Sequence, residues 1–67
     1  MPDFKTKVTF PDVKIIDASD LAIRVDIDGQ ILWIPSSLVD DDSEVWQKGD
    51  VGELIIAEFF AKEKGLI

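Results

Sequence analysis

LAIRVDIDGQILWIP, residues 21–35, alternates in character on its first arm and carries an Asp-Gly pair in its middle. Leu21, Ile23, Val25 and Ile27 fall on one side of an extended chain, with Ala22, Arg24, Asp26 and Asp28 on the other. Successive side chains of a strand point to opposite faces, so this period of two predicts a half-buried strand. The inner set is rich in β-branched residues, which suit a pleated, packed surface. Asp28-Gly29 predicts a hairpin, because a type I′ turn needs positive φ at both central positions; Gly29-Gln30 is the alternative turn. The second arm, residues 30–34, is apolar on both faces apart from Gln30, which predicts a central strand covered on both sides and closed by Pro35.

Working outward, residues 4–10 (FKTKVTF) also alternate: Phe4, Thr6, Val8 and Phe10 against Lys5, Lys7 and Thr9. Pro11 and Asp12 interrupt this strand, and residues 13–16 form a second apolar group that continues it after a bend. Ala18-Ser19-Asp20 reads as a turn. Beyond the hairpin, Pro35-Ser36-Ser37 and residues 40–43 make a polar crossing with Leu38 and Val39 tucked inside. Residues 44–47 predict a short strand around Trp46, Lys48-Gly49-Asp50 a turn, and residues 53–56 a further short strand. The stretch 57–65, AEFFAKEKG, predicts a helix of about two turns. Glu58 and Lys62 are spaced i,i+4 in the favourable order, Lys62 and Lys64 suit the negative end of the dipole, and Gly65 suits the cap. So short a helix needs Phe59 or Phe60 packed on the sheet. The expected fold is mainly β (α+β). It is a small curled antiparallel sheet or open barrel of four or five strands with one short C-terminal helix, in a single domain over residues 1–67.

The chain has 67 residues, 46% of them hydrophobic, with no cysteine and no histidine. A chain of this length buries only about 60% of the surface its unfolded form exposes. Disulfides and thiolate or imidazole metal sites are excluded as supports, which leaves packing or oligomerisation. In so small a core both tryptophans, Trp33 and Trp46, are expected inside. No apolar run approaches the ~18 residues of a membrane span. The N-terminal MPDFKTK has no apolar segment behind its charges, so it is not read as a secretory signal, and a cytoplasmic location is expected.

Fourteen acidic residues oppose seven basic ones, for a net charge of −7. Between Asp17 and Glu58 eleven carboxylates face only Arg24 and Lys48, a local balance of −9. A field of this sign repels nucleic acid and anionic membranes and attracts basic partners.

Catalytic chemistry finds little footing. Serines are present, but there is no histidine to act as base and no cysteine nucleophile. Asp26 and Asp28 share a strand face, but separating their pKa values would need a desolvated pocket, and the exposed side of a strand does not supply one. The acid-rich residues 40–44 fail the calcium-loop pattern, since position 6 is Val45 and position 12 is Val51. No enzyme activity, metal or cofactor is expected. A stacking surface for single-stranded nucleic acid would combine aromatics with Lys5, Lys7 and Lys14.

LAIRVDIDGQILWIPSSLV followed by GDVGELIIAEFFAKEKGLI resembles a group of small phage and prophage proteins. These share a D-G hairpin, a W-I-P-x-S strand end and a C-terminal F-A-x-E-K-G-L segment. The likeness runs from Ala22 to Leu66, about two thirds of the chain. It is carried by Trp33, Ile34, Pro35, Ser37, Glu58, Phe60, Ala61, Glu63, Lys64, Gly65 and Leu66. Ser36 stands where a lysine is expected, removing a positive charge near the sheet edge. The group has no assigned activity, so the resemblance implies a mobile-element origin and the cytoplasm of a bacterial host, without a mechanism.

The sequence therefore leads to a nonenzymatic phage-type protein that binds and inhibits a host nucleic-acid-handling protein, for example as an anti-CRISPR or DNA mimic. The expected partner has a basic surface, in a host defence or DNA-processing complex. The binding residues are expected to be Asp26, Asp28, Asp40, Asp41, Asp42 and Glu44. Two alternatives remain open: a small β-barrel accessory of phage DNA metabolism that touches single-stranded nucleic acid, and a self-assembling module such as a homodimer.

Overall fold

In the computed structural model, which describes residues 5–67, the Asp28-Gly29 pair is the hairpin turn. Asp28 has φ 52° and Gly29 φ 86°, both left-handed as a type I′ turn requires. The Asp26 carboxylate accepts the Gly29 N–H at 2.9 Å and fixes the turn. The turn joins β2 (Ala22–Ile27) to β3 (Gln30–Pro35), paired from Ile27–Gln30 to Ala22–Pro35. With β1 (Lys7–Ala18) and β4 (Val51–Ala57) they form one antiparallel sheet in the order β3-β2-β1-β4. The sheet is open and does not close into a barrel.

β1 is the organising strand. Its first half pairs with β4, its second half with β2, and Lys14 pairs with both Val51 and Asp26. The sequence forces a flaw in it. Val8 and Phe10 have one parity and Val13 and Ile15 the other, so a regular strand could not turn all four inward. The register shifts between Phe10 and Val13, where Asp12 has φ 57°, and the extra residue brings both pairs to the same face. Pro11 sits in this bulge, where a missing N–H costs no ladder bond. A second shift at Ile16 bends the strand again. Phe4 lies outside the described residues.

The core fills the inner face. Val13, Ile15, Ile23, Val25, Ile27, Ile34, Leu54 and Ile56 come from the sheet, Val39 and Val45 from the connection, and Phe60 and Ala61 from α1 (Glu58–Glu63). Each buried aliphatic side chain of this size contributes roughly 1.5–3 kcal/mol. The helix carries the expected Glu58–Lys62 pair at 3.0 Å. Its end is a Schellman cap. Gly65, at φ 74°, donates its N–H to Lys62, and Leu66 donates to Ala61. The Lys64 ammonium lies 5.6 Å from the centre of the Phe60 ring.

Four expectations are corrected. β3 is an edge strand with a half-exposed outer face, because the chain leaving Pro35 crosses to the β4 edge and no described segment pairs with the other side of β3. Trp33 and Trp46 are 47% and 38% exposed rather than core. Leu21 does not share the inner face of Ile23; it sits in the turn, 84% exposed. Residues 44–47 are not a strand. They wrap irregularly, with Val45 buried, Glu44 bonded to Glu53 and the Trp46 indole N–H donating to the Ser43 carbonyl at 2.9 Å.

Candidate interaction surfaces

After β3 the chain makes a short 3-10 turn, Ser36–Leu38, and then runs along the outer edge of β4. Strand edges present unpaired N–H and C=O groups, and this segment meets those of β4 in order. Val39 bridges Ile56, and the Asp40 N–H donates to the Ile55 carbonyl at 2.8 Å. The Ser43 hydroxyl accepts the Ile55 N–H and donates to the Ile55 carbonyl. The Glu44 N–H donates to the Glu53 carbonyl, while the Glu44 carboxylate accepts the Glu53 N–H at 3.0 Å. Gly52 leaves room for this: a Cβ there would stand 3.1 Å from the Glu44 carboxylate.

The six candidate acidic residues divide into two groups. Asp40, Asp41, Asp42 and Glu44 lie along the β4 edge, joined by the exposed Glu53 from the strand itself. Sequence reading missed Glu53, although the strand period places it on the outer face beside Val51. Asp26 and Asp28 belong to β2 and its turn, with β1 between them and β4. Several of these carboxylates have internal work. Asp26 holds Gly29, Glu44 holds Glu53, and Asp40 accepts the Asp42 N–H at 2.9 Å while lying 4.0 Å from the Lys7 ammonium. Asp28, Asp41 and Asp42 carry no such bond through their side chains among the described residues. Asp50, outside the candidate set, has the clearest electrostatic signature. The backbone N–H groups of Trp46 and Gln47, each at 2.9 Å, hold its carboxyl below the usual carboxylate value.

The outer face of the sheet has a different character. Cross-strand partners share a face, so the pairing gives one row of Ile31, Asp26, Lys14 and Val51 and another of Trp33, Arg24 and Asp17. Ile31 and Val51 are 51% and 64% exposed. The lysines do not gather about the aromatic. Lys7 faces Asp40, Lys14 lies between Asp26 and Val51, and Arg24 is the cation that neighbours Trp33.

The described residues enclose no pocket, and no three potential ligands among them converge as a metal cage. No described helix is long and apolar enough to cross a membrane. The fold defines the class: a small open antiparallel sheet with a terminal helix, one edge strapped and the other without a partner among the described residues. No family model matches the chain, and neither does a curated protein or a solved structure.

Proposed function

We propose that this domain is a nonenzymatic binding protein that occupies a basic, nucleic-acid-binding surface of a partner protein and so inhibits it. The observation that carries the reading is the file of carboxylates Asp40, Asp41, Asp42, Glu44 and Glu53 along the strapped edge of β4. Fixed to a hydrogen-bonded backbone, they stand in for successive phosphates without the entropy cost of ordering a flexible tail. Asp41 and Asp42 make the direct contacts, and Asp40 and Glu44 hold the segment in place. Asp26 and Asp28 contribute a second, smaller acidic site at the hairpin. The overall charge of −7 raises the encounter rate with a basic partner. A phage-encoded inhibitor of a bacterial defence or repair complex fits these requirements.

The test is capture from bacterial lysate by the tagged domain, with and without excess duplex DNA. Recovery of a nucleic-acid-handling protein that DNA displaces supports the reading. Capture that DNA leaves unchanged counts against phosphate substitution.

The exposed Trp33 beside Arg24 favours a second reading, a stacking surface for single-stranded nucleic acid. Quenching of tryptophan fluorescence by an oligonucleotide at low salt, relieved by added salt, is its signature. Unchanged fluorescence at low salt removes it.

A further inference from the structure

The two edges of the sheet are treated differently. The β4 edge is strapped by residues 39–44, whereas the β3 edge has no partner among the described residues. The phase of the hairpin decides which groups that bare edge presents. In a two-residue hairpin the flanking residues, here Ile27 and Gln30, exchange hydrogen bonds, and bonded pairs then alternate. Gln30, Leu32 and Ile34 therefore bond to β2, and the Ser36 N–H continues the same phase onto the Leu21 carbonyl at 2.9 Å. Ile31 and Trp33 direct their N–H and C=O groups away from the sheet.

Proteins usually blunt such an edge with charge, a bulge or a short strand. β3 is six residues long, QILWIP, with neither bulge nor ionisable side chain, in a chain of net charge −7. Proline enters only at its last position. Its outer-face side chains, Ile31 and Trp33, are about half exposed, and Leu32 on the inner face is only partly buried.

We infer that β3 is the interface of a homodimer, in which β3 of one copy pairs antiparallel with β3 of a second across a two-fold axis at Leu32. Among the alternatives this register alone pairs both outward donors and both outward acceptors of each copy. Ile31 bonds reciprocally with Trp33 of the other copy, twice over, for about four ladder bonds. Moving the axis to Trp33 sets Ile31 against Pro35, which has no N–H and so leaves the Ile31 carbonyl unpaired. Moving it to Ile31 sets Trp33 against Gly29, whose φ of 86° is not extended. The chosen register places each indole beside an isoleucine, a favourable cross-strand pair, and brings the two Leu32 side chains together on the inner face.

Charge complementarity supports a second copy as the occupant. Arg24 flanks Trp33 and Asp26 flanks Ile31 on the outer face. In the dimer each row runs Arg24, Trp33, then Ile31 and Asp26 of the other copy, so the apolar centre is flanked by charges of opposite sign and no like charges meet at the seam. The acidic β4 edges lie at the two far ends, where like charges are furthest apart. Because each copy has one bare edge, pairing closes at two and does not propagate.

Sedimentation across a concentration series tests the inference. The monomer mass is 7.5 kDa, and the expected result is a rise to twice that value with concentration. Ile31→Pro removes an outward N–H without touching the β2 ladder, and Trp33→Lys places charge at the centre; each is expected to abolish the rise while the fold is retained. Should Ile31→Pro unfold, Trp33→Lys alone decides. As an independent readout, amide exchange at Ile31 and Trp33 is expected to slow by at least about tenfold as concentration rises, while Leu32 is protected throughout. A chain that stays at the monomer mass at roughly millimolar concentration, a dimer that survives both substitutions, or concentration-independent exchange at Ile31 and Trp33 overturns it.

Discussion

The Ser43 hydroxyl lies 2.9 Å from the Ile55 nitrogen and 3.1 Å from the Ile55 carbonyl oxygen, and it shares that carbonyl with the Asp40 N–H in place of a neighbouring strand. A strand partner would offer one acceptor and one donor at that point, and a hydroxyl supplies both. Ser43 is the buried polar residue of the described chain, and this pairing is the reason it can be buried. The geometry lets residues 39–44 seal the β4 edge without being a strand.

Ser43→Ala is therefore expected to destabilise the domain by about 1–3 kcal/mol, because the Ile55 N–H loses its acceptor in a part-buried site, while the Ile55 carbonyl keeps the Asp40 N–H. Asp41→Ala, at an exposed position nearby, is expected to change stability by less than about 0.5 kcal/mol. Urea denaturation of the two variants checks the contrast. Equal effects would mean that the seal does not depend on the hydroxyl.

Asp50 gives a pH dependence with a definite sign. Its ordinary value is 3.8, and the N–H groups of Trp46 and Gln47 lower it in the folded chain. A depressed folded value contributes stability that is fully present above the unfolded value and is lost as pH falls through the folded one. Asp50→Asn is expected to lower the melting temperature at neutral pH and to approach the parent protein below the folded value. Thermal melts from pH 7 downward read this directly, and a constant gap between the two proteins would contradict it.

At the hairpin, Gly29 has open space around its Cα but a φ of 86°. Gly29→Val is expected to cost about 1–2 kcal/mol through the backbone alone, since a β-branched residue resists the left-handed region. Gly29→Asn, which tolerates that region, is expected to cost markedly less. Chemical denaturation of both variants distinguishes turn strain from lost packing.

Local chemistry made the turns, the helix end and the inner faces legible in the sequence. The Asp-Gly turn, Gly65 at the Schellman cap and the alternation of Ile23, Val25 and Ile27 are each settled by a few neighbouring residues. Strand order is a long-range property, and that is where the reading of β3 as a central strand failed. Residues 30–34 are apolar on both faces whether the second face meets the core, a partner or water. The same ambiguity misplaced Trp33 and Trp46. Residues 44–47 read as a strand around Trp46, but only the Glu44 backbone bonds to β4, and the remaining contacts run through the Ser43 and Glu44 side chains, which periodicity does not register. Of the acidic residues, the run Asp40-Asp41-Asp42 was evident, whereas its neighbour Glu53 required the pairing along β4.

The claim that the β4 edge substitutes for phosphates is tested most directly by the affinity of Asp41→Lys/Asp42→Lys for the captured partner, measured over a salt series beside the parent protein. Neither side chain has a bond within the described fold, so the variant is expected to keep its melting behaviour. Binding at least about tenfold weaker at low salt, with a shallower dependence on salt, is the predicted result. Unchanged affinity and an unchanged salt slope would contradict it and place recognition elsewhere on the molecule.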